Sequence, residues 1–271
     1  MILYKGHALG NDYLVLHEGP PLDAAAVRVL CDRHRGVGAD GMLEPLRHDG
    51  GWGVRIWNPD GSIAEKSGNG IRILARYLAT HRGAGGSIAI ETASGPVHCD
   101  VGASEIAVDM GMATFEPEEI PCTERLRDTS VAIGEDILRV TAVGMGNPHC
   151  VSFHGVPLDT LPWRAWGAWL ERSAWFPNRT NVQFARVVGR DRIEARIWER
   201  GAGETSASGS SACAVAAAAL LLGVGDRRVI IAMPGGDLGV ETRDDGHLVL
   251  TGPAQEVAKI EPSDELLRAI L

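Results

Sequence analysis

Apolar residues recur along the chain in two periods. Short alternating runs, among them Ile88-Ala89-Ile90, Val97-His98-Cys99 and Ile106-Ala107-Val108, predict strands of an antiparallel meander. Further strands are predicted at Ile2–Tyr4, Tyr13–Leu16, Gly53–Trp57, Ile137–Val143, Arg192–Trp198, Val229–Ile231 and Leu248–Thr251. Helical spacing marks Asp23–Asp32, through Ala26, Val29 and Leu30, and Gly68–His81, through Ile71, Leu74, Ala75 and Leu78. In the second of these Arg72 and Arg76 share a neighbouring face, and Gly83 is placed to stop the helix. Leu158–Phe176 reads as helical at least in part, with Trp163, Trp166, Trp169 and Trp175 as packing residues. Ala212–Leu222 is apolar on every side and so predicts a helix buried all round. The tail Ser263–Leu271 reads as a short amphipathic helix.

Two stretches of this pattern are copies of one another. Arg55-Ile56-Trp57 and Arg196-Ile197-Trp198 are identical, and ten residues beyond each Trp stands a Ser-Gly pair, at 67–68 and 208–209. Every matching position is offset by 141. The chain therefore reads as two related halves, each with a strand, a polar loop and a buried helix that opens at Ser-Gly. Gly68-Asn69-Gly70 and Gly209-Ser210-Ser211 leave the first-turn N–H groups uncovered, and the helix dipole adds partial positive charge there. Each start is thus either a potential carboxylate or phosphate cradle or a simple serine N-cap.

Composition narrows the class. With 271 residues and 45% of them hydrophobic, the chain has material for two cores of ordinary size. The net charge of −9 is spread out, with no basic patch, which argues against nucleic acid or an anionic membrane as partner. Five cysteines without a CxxC point to a reduced, cytoplasmic protein rather than a disulfide framework. No signal peptide is expected, and the longest apolar run is too short to span a bilayer. The Gly-rich loop His34–Gly41 lacks the Lys-Ser/Thr of a P-loop and the spacing of a dinucleotide fingerprint.

Among residues able to do chemistry, Glu199 and Arg200 are adjacent at a strand end and point to opposite faces. They are either a solvated pair or, more sharply, the partners of a substrate ammonium and carboxylate. Asn11, Asn58, Asn147 and Asn181 lie in loops beside the strands, in corresponding pairs. The nine histidines form no ligand cluster, and His98-Cys99 and His149-Cys150 send neighbouring side chains to opposite faces, so no metal site is expected.

Gly10-Asn11-Asp12-Tyr13, Asn58-x-Asp60-Gly61-Ser62, Ser67-Gly68-Asn69-Gly70-Ile71-Arg72, Gly146-Asn147-Pro148-His149 and Glu199-Arg200-Gly201-Ala202-Gly203-Glu204-Thr205 together resemble the diaminopimelate epimerase family. The motifs run in order over nearly the whole chain. The resemblance implies an α+β fold of two pseudo-symmetric halves, each a mostly antiparallel curled β-sheet around a central helix, with the site in a cleft between. It implies halves at 1–115, completed by the tail 260–271, and at 116–259, with Glu116–Pro121 as the passage. It further implies a cytoplasmic homodimer that interconverts LL- and meso-diaminopimelate by two-base proton transfer, without a cofactor or metal. Asn11, Asn58, Asn147, Asn181, Glu199 and Arg200 would bind the substrate, and Gly68, Asn69, Gly209 and Ser210 would cradle its α-carboxylate.

The chain departs from that family where the chemistry lies. The residue before each helix-opening Gly is Cys in the family, one thiolate and one thiol flanking the α-carbon. Here the two catalytic positions are Ser67 and Ser208. A hydroxyl is a poor base unless an adjacent group activates it, and the sequence neighbours are Lys66 and Ala207. Cys213 lies five residues past Ser208 and does not replace it. Gly41 stands where some relatives carry Gln, a lesser variation. The isosteric, symmetric change favours an epimerase deliberately altered to keep binding and lose chemistry. A natural Ser/Ser isomerase or dehydratase, and a silent amino-acid-binding relative, are the alternatives.

Overall fold

Ile88, Ile90, Val97, Cys99, Ile106 and Val108 all turn inward from successive strands while Ala89, His98 and Asp100 face out. That alternation is the period of a half-buried sheet. The computed structural model describes residues 1–48, 51–64 and 67–270. In chain order it holds β1 (Ile2–Ala8), β2 (Asn11–Glu18), α1 (Ala24–Cys31), β3 (Met42–His48), β4 (Gly51–Trp57), β5 (Ile63–Ala64) and α2 (Gly68–His81). There follow β6 (Ser87–Thr92), β7 (Gly95–Val101), β8 (Glu105–Met112), β9 (Thr129–Ile133), β10 (Asp136–Gly144) and β11 (Pro148–Phe153). A 3-10 turn at Leu158–Thr160 precedes α3 (Trp163–Glu171), β12 (Asn181–Gly189), β13 (Arg192–Glu199), β14 (Gly203–Thr205) and α4 (Gly209–Leu221). The chain ends with β15 (Arg228–Met233), β16 (Gly236–Thr242), β17 (His247–Pro253), β18 (Gln255–Ile260) and α5 (Asp264–Ile270). It divides into two compact units, residues 1–108 with 252–271, and residues 109–251.

The two units repeat one pairing scheme. In the first, β1 runs antiparallel to β2, β2 parallel to β3, and β3 antiparallel to β4; β4 then pairs antiparallel with β5 and parallel with β6. In the second, β10, β11, β12, β13, β14 and β15 reproduce that series in the same order and the same senses. Each series is closed at its start by an antiparallel neighbour, β18 on β1 and β9 on β10. The duplicated Arg-Ile-Trp is the end of β4 and of β13, and each helix that follows packs on strands drawn from across its own sheet. Helix α2 touches β1, β2, β3, β7 and β18, while α4 touches β10, β11, β12, β13, β15 and β16. A sheet that meets one helix from so many strands is curled around it, and the fold is α+β with two pseudo-symmetric halves.

Both central helices are more deeply buried than an amphipathic stripe requires. In α4 the residues Ala212, Cys213, Ala214, Val215, Ala218 and Ala219 are all fully buried, as the all-round apolar sequence predicts. In α2 Ile71, Leu74, Ala75 and Leu78 form the expected stripe, but Ile73, Tyr77 and the whole of Arg72 are buried too. Gly83, at φ 64°, ends α2 in the left-handed conformation that a glycine adopts without strain. The tail helix α5 meets α1, and Leu266 and Ile270 pack on the cluster built from Leu3, Leu14, Val27, Leu30 and Met42.

The Trp-rich segment is helical in part, over a 3-10 turn and α3, as its pattern predicts; Trp163 and Trp166 are buried, and Trp169, 43% exposed, packs edge-on against Trp175. Strand β3 is absent from the sequence reading because its pattern is broken by Pro45 and by Glu44, a carboxylate buried in the strand. Glu44 is compensated by Arg55 at 2.9 Å, the indole N–H of Trp57 and the backbone N–H of Leu22. Among the described residues no helix is long and apolar enough to cross a membrane.

Because the alanines of α4 are buried on every side, enlarging one overpacks the second unit. Ala218→Leu should lower unfolding stability by about 1–3 kcal/mol, read by denaturant titration. A neutral result would mean that α4 has slack around it.

Candidate active site

In the first unit the chain enters α2 through Ser67, held extended at φ −142°. Its hydroxyl oxygen accepts the Gly70 N–H at 3.0 Å, so Ser67 is a side-chain N-cap. Gly70 permits this: a Cβ there would sit 3.2 Å from the Ser67 oxygen and 3.1 Å from Leu43. The hydroxyl of Tyr13, on β2, lies 3.1 Å from the same Ser67 oxygen. Tyr13 is 7% exposed, and its ring fills the space above Gly41, where a Cβ would come within 2.6 Å of the ring.

A polar network fixes the residues around that helix start. Asn69 donates to the side-chain oxygen of Asn11 at 3.1 Å and accepts from the Arg72 guanidinium at 2.8 Å. Arg72 also donates to the carbonyls of Gly68, at 3.2 Å, and of Pro253. Asn11 passes its own N–H to Asp40 at 2.9 Å. Arg33 joins Asp40 to Asp12, and Lys5 meets Asp12 from β1 at 2.9 Å. Burial alone would raise the Asp12 pKa, but hydrogen bonds from Arg33 and Lys5 outweigh it and hold this carboxyl well below the usual carboxylate range. Asn11, Ser67, Gly68 and Asn69 are thus brought together, with a buried guanidinium in the first turns of α2 that favours an anion. Asn58 is not part of this group, since its amide turns back to Ser62 at 2.9 Å within its own turn. Lys66 lies outside the described residues.

In the second unit Ser208 is equally extended, at φ −145°, and 5% exposed, but makes no side-chain cap hydrogen bond. The first turn of α4 is tied instead through Ser211. Gln183, on β12, donates to the Ser211 hydroxyl at 3.0 Å and to Nδ1 of His149 at 2.9 Å. His149 then donates from Nε2 to the side-chain oxygen of Asn147 at 2.8 Å, which assigns the neutral Nε2–H tautomer and turns the Asn147 N–H groups outward. Burial, followed by the charge of Arg200, pushes the His149 pKa down to about 3.

Asn181 accepts the backbone N–H of Arg200 at 2.9 Å and donates to the Pro148 carbonyl at 3.0 Å, joining two of the polar loops. The Arg200 side chain is exposed, and Glu199 beside it is half-buried at the end of β13. Glu171, the last residue of α3, is 3% exposed and fastens the turn beyond them. It accepts the Gly201 N–H at 2.8 Å and the Trp198 indole N–H at 3.2 Å, and pairs with Arg179 at 2.9 Å. Gly201, at φ 81°, allows that tight turn. Asn147, Gly209 and Ser210 lie around the α4 start, while Asn181, Glu199 and Arg200 form the strand-end cluster.

The sequence reading had not assigned Tyr13, Arg72, His149, Gln183, Ser211 or Glu171 to the site. Tyr13 and His149 stood inside quoted motifs, but Glu171 and Gln183 carry no local signal, because their partners are distant in sequence. Among the described residues no three His, Cys, Asp or Glu side chains converge on a metal-sized space.

One unit thus carries a serine-capped helix start at Ser67, and the other an uncapped one at Ser208 together with a Glu-Arg pair at the end of β13. The fold is shared with solved structures at identities that speak to fold alone. One is a predicted epimerase from Pseudomonas aeruginosa, 20% identical, with a TM-score of 0.67 and coverage of 96% of this chain and 98% of that one. Another is a probable proline racemase from Agrobacterium radiobacter, 14% identical, with a TM-score of 0.72 and coverage of 97% and 93%. The family model described as diaminopimelate epimerase matches residues 3–116 and 141–257. A diaminopimelate epimerase of Synechococcus elongatus is 41% identical over 93% of this chain and 95% of its own length. Diaminopimelate epimerase 2 of a Nostoc species is also 41% identical, over 98% and 97%. The chain belongs to the diaminopimelate epimerase family.

The buried neutral His149 sets a pH dependence. An unfolded histidine binds its proton near pH 6.5, whereas His149 stays unprotonated down to about 3. Below about pH 6.5 the unfolded chain therefore holds one proton more, and stability falls as pH drops toward 3. His149→Asn should flatten that fall by up to about 1.4 kcal/mol per pH unit, measured by chemical denaturation from about pH 7 to about pH 4. An unchanged slope would show that His149 is protonated in the folded protein.

Proposed function

We propose that this protein is an isomerase that binds diaminopimelate and interconverts its LL and meso forms by two-base proton transfer, with Ser67 and Ser208 at the two base positions. The observation that carries the reading is that both serines immediately precede the buried central helices of their units. The first-turn N–H groups of these helices suit an α-carboxylate and the enediolate formed on deprotonation. Arg200 and Glu199 offer opposite charges to the remaining groups of a zwitterionic substrate. Gly68, Asn69, Gly209 and Ser210 are the carboxylate contacts, and Asn11, Asn147 and Asn181 the surrounding polar wall. Of these, Asn11 and Asn181 act through the hydrogen bonds that hold Asn69 and Arg200 in place.

Serine in place of cysteine leaves the recognition groups intact and weakens the bases, whether the change is natural or deliberate. A thiol ionises near 8.5 and is readily tuned toward neutrality, whereas a lone hydroxyl is not. The protein as it stands should bind its substrate and epimerise it slowly. The same reading takes it as a cytoplasmic homodimer without a cofactor. Five free, buried cysteines suit a reducing compartment, and the dimer rests on the family resemblance.

Calorimetry with meso-diaminopimelate should show binding that Arg200→Ala weakens by about 1.5–3 kcal/mol, the range for a charge-assisted hydrogen bond. Equal affinity in that variant removes Arg200 from the site, and no binding at all sinks the reading. The paired change Ser67→Cys with Ser208→Cys should raise epimerisation by several orders of magnitude, and either change alone by much less. Polarimetry with the purified enzymes reads both. A paired variant no faster than the parent would show that these two positions are not the bases.

A further inference from the structure

We infer that Tyr13 and Ser67 act as one proton-transfer pair, in which the phenol supplies the basicity that the serine lacks; this rests on the reading of Ser67 as a base. The two hydroxyl oxygens are 3.1 Å apart. The Gly70 N–H already donates to the Ser67 oxygen at 3.0 Å and so supports negative charge on it. The pair is held rather than incidental. The Tyr13 ring is buried on β2, directly over Gly41, whose missing side chain leaves the ring its space. The second unit has no counterpart, because the Ser208 hydroxyl makes no hydrogen bond among the described residues.

A phenol ionises near 10, well below an aliphatic alcohol, so in the minor fraction of protein in which the pair has lost one proton to solvent the charge resides on Tyr13. In the forward step Ser67 Oγ takes the substrate α-proton while its own hydroxyl proton passes to the Tyr13 phenolate. The α C–H bond and the old Ser67 O–H bond break, and a new Ser67 O–H and the phenol O–H form. The electron pair left on the α-carbon spreads into the α-carboxylate, beside the N–H groups of the α2 start. Reversal delivers a proton from Tyr13 through Ser67 to the carbon. The phenol then regains solvent deuterium in deuterated water, and the substrate acquires it.

Among the described residues only one of the two base positions carries such a partner, so exchange and inversion separate. In deuterated water one stereoisomer of diaminopimelate should take up α-deuterium with retention about tenfold or more faster than it inverts, since the first unit both removes and returns the proton.

The test is α-deuterium uptake, by mass spectrometry, in the parent and in Tyr13→Phe, each in the natural background and in the Ser67→Cys, Ser208→Cys background, with calorimetry on all four. Tyr13→Phe should slow uptake about a hundredfold in the serine background and by less than about threefold in the cysteine background, where a thiol needs no phenol, with affinity unchanged in both. Equal uptake by parent and Tyr13→Phe in the serine background, undetectable uptake included, overturns the pair. Equal losses in both backgrounds overturn it in favour of a packing role for the phenol. Absence of substrate binding in all four proteins instead overturns the functional reading itself.

Discussion

A helix that begins inside a curled sheet has first-turn N–H groups with no intrahelical partner and little water to satisfy them. In this fold both central helices begin that way, at Gly68 and at Gly209, both buried. The constraint admits few solutions. Ser67 satisfies one N–H itself, through Gly70. The remaining first-turn positions carry only glycine, serine and asparagine, small or short polar residues. The small residues and the polar loops around them fit a helix start placed inside an enclosing sheet.

Around these starts the protein uses polar side chains as struts. Arg72, Asn69, Asn11 and Asp40 form one continuous run, and Ser211, Gln183, His149 and Asn147 form another. Each run joins a helix start to loops that a packing interaction alone would leave free to shift. Glu171 does the same for the turn after Arg200 at the cost of burying a carboxylate, which its hydrogen bonds and Arg179 compensate. Such networks are worth more as positioning devices than as net stability.

What local pattern could carry was legible in the sequence. The stripe Ile71, Leu74, Ala75, Leu78 and the stop at Gly83 delimit α2, and the offset repeat exposes the matching helix starts before any fold is known. What depends on distant partners was not. Glu44 breaks the alternation of β3 because its partners Arg55 and Trp57 lie on the next strand. Tyr13 meets Ser67 from 54 positions away, so the phenol beside it is invisible where a partner would be sought, among its chain neighbours. The burial of Arg72 is not legible either, because nothing in helical spacing tells a buried guanidinium from a solvated one. Asn58 and Asn11 look alike in sequence, yet one closes its own turn and the other reaches the helix start.

The account depends most on the claim that the two helix starts, and not some other surface, receive the substrate. Backbone amide chemical shifts during a titration with meso-diaminopimelate test it directly. The account predicts saturable shifts in the amides of Gly68, Asn69 and Gly70, and in those of Gly209, Ser210 and Ser211, with one common dissociation constant. Saturable shifts that spare either group of amides and gather elsewhere would contradict it.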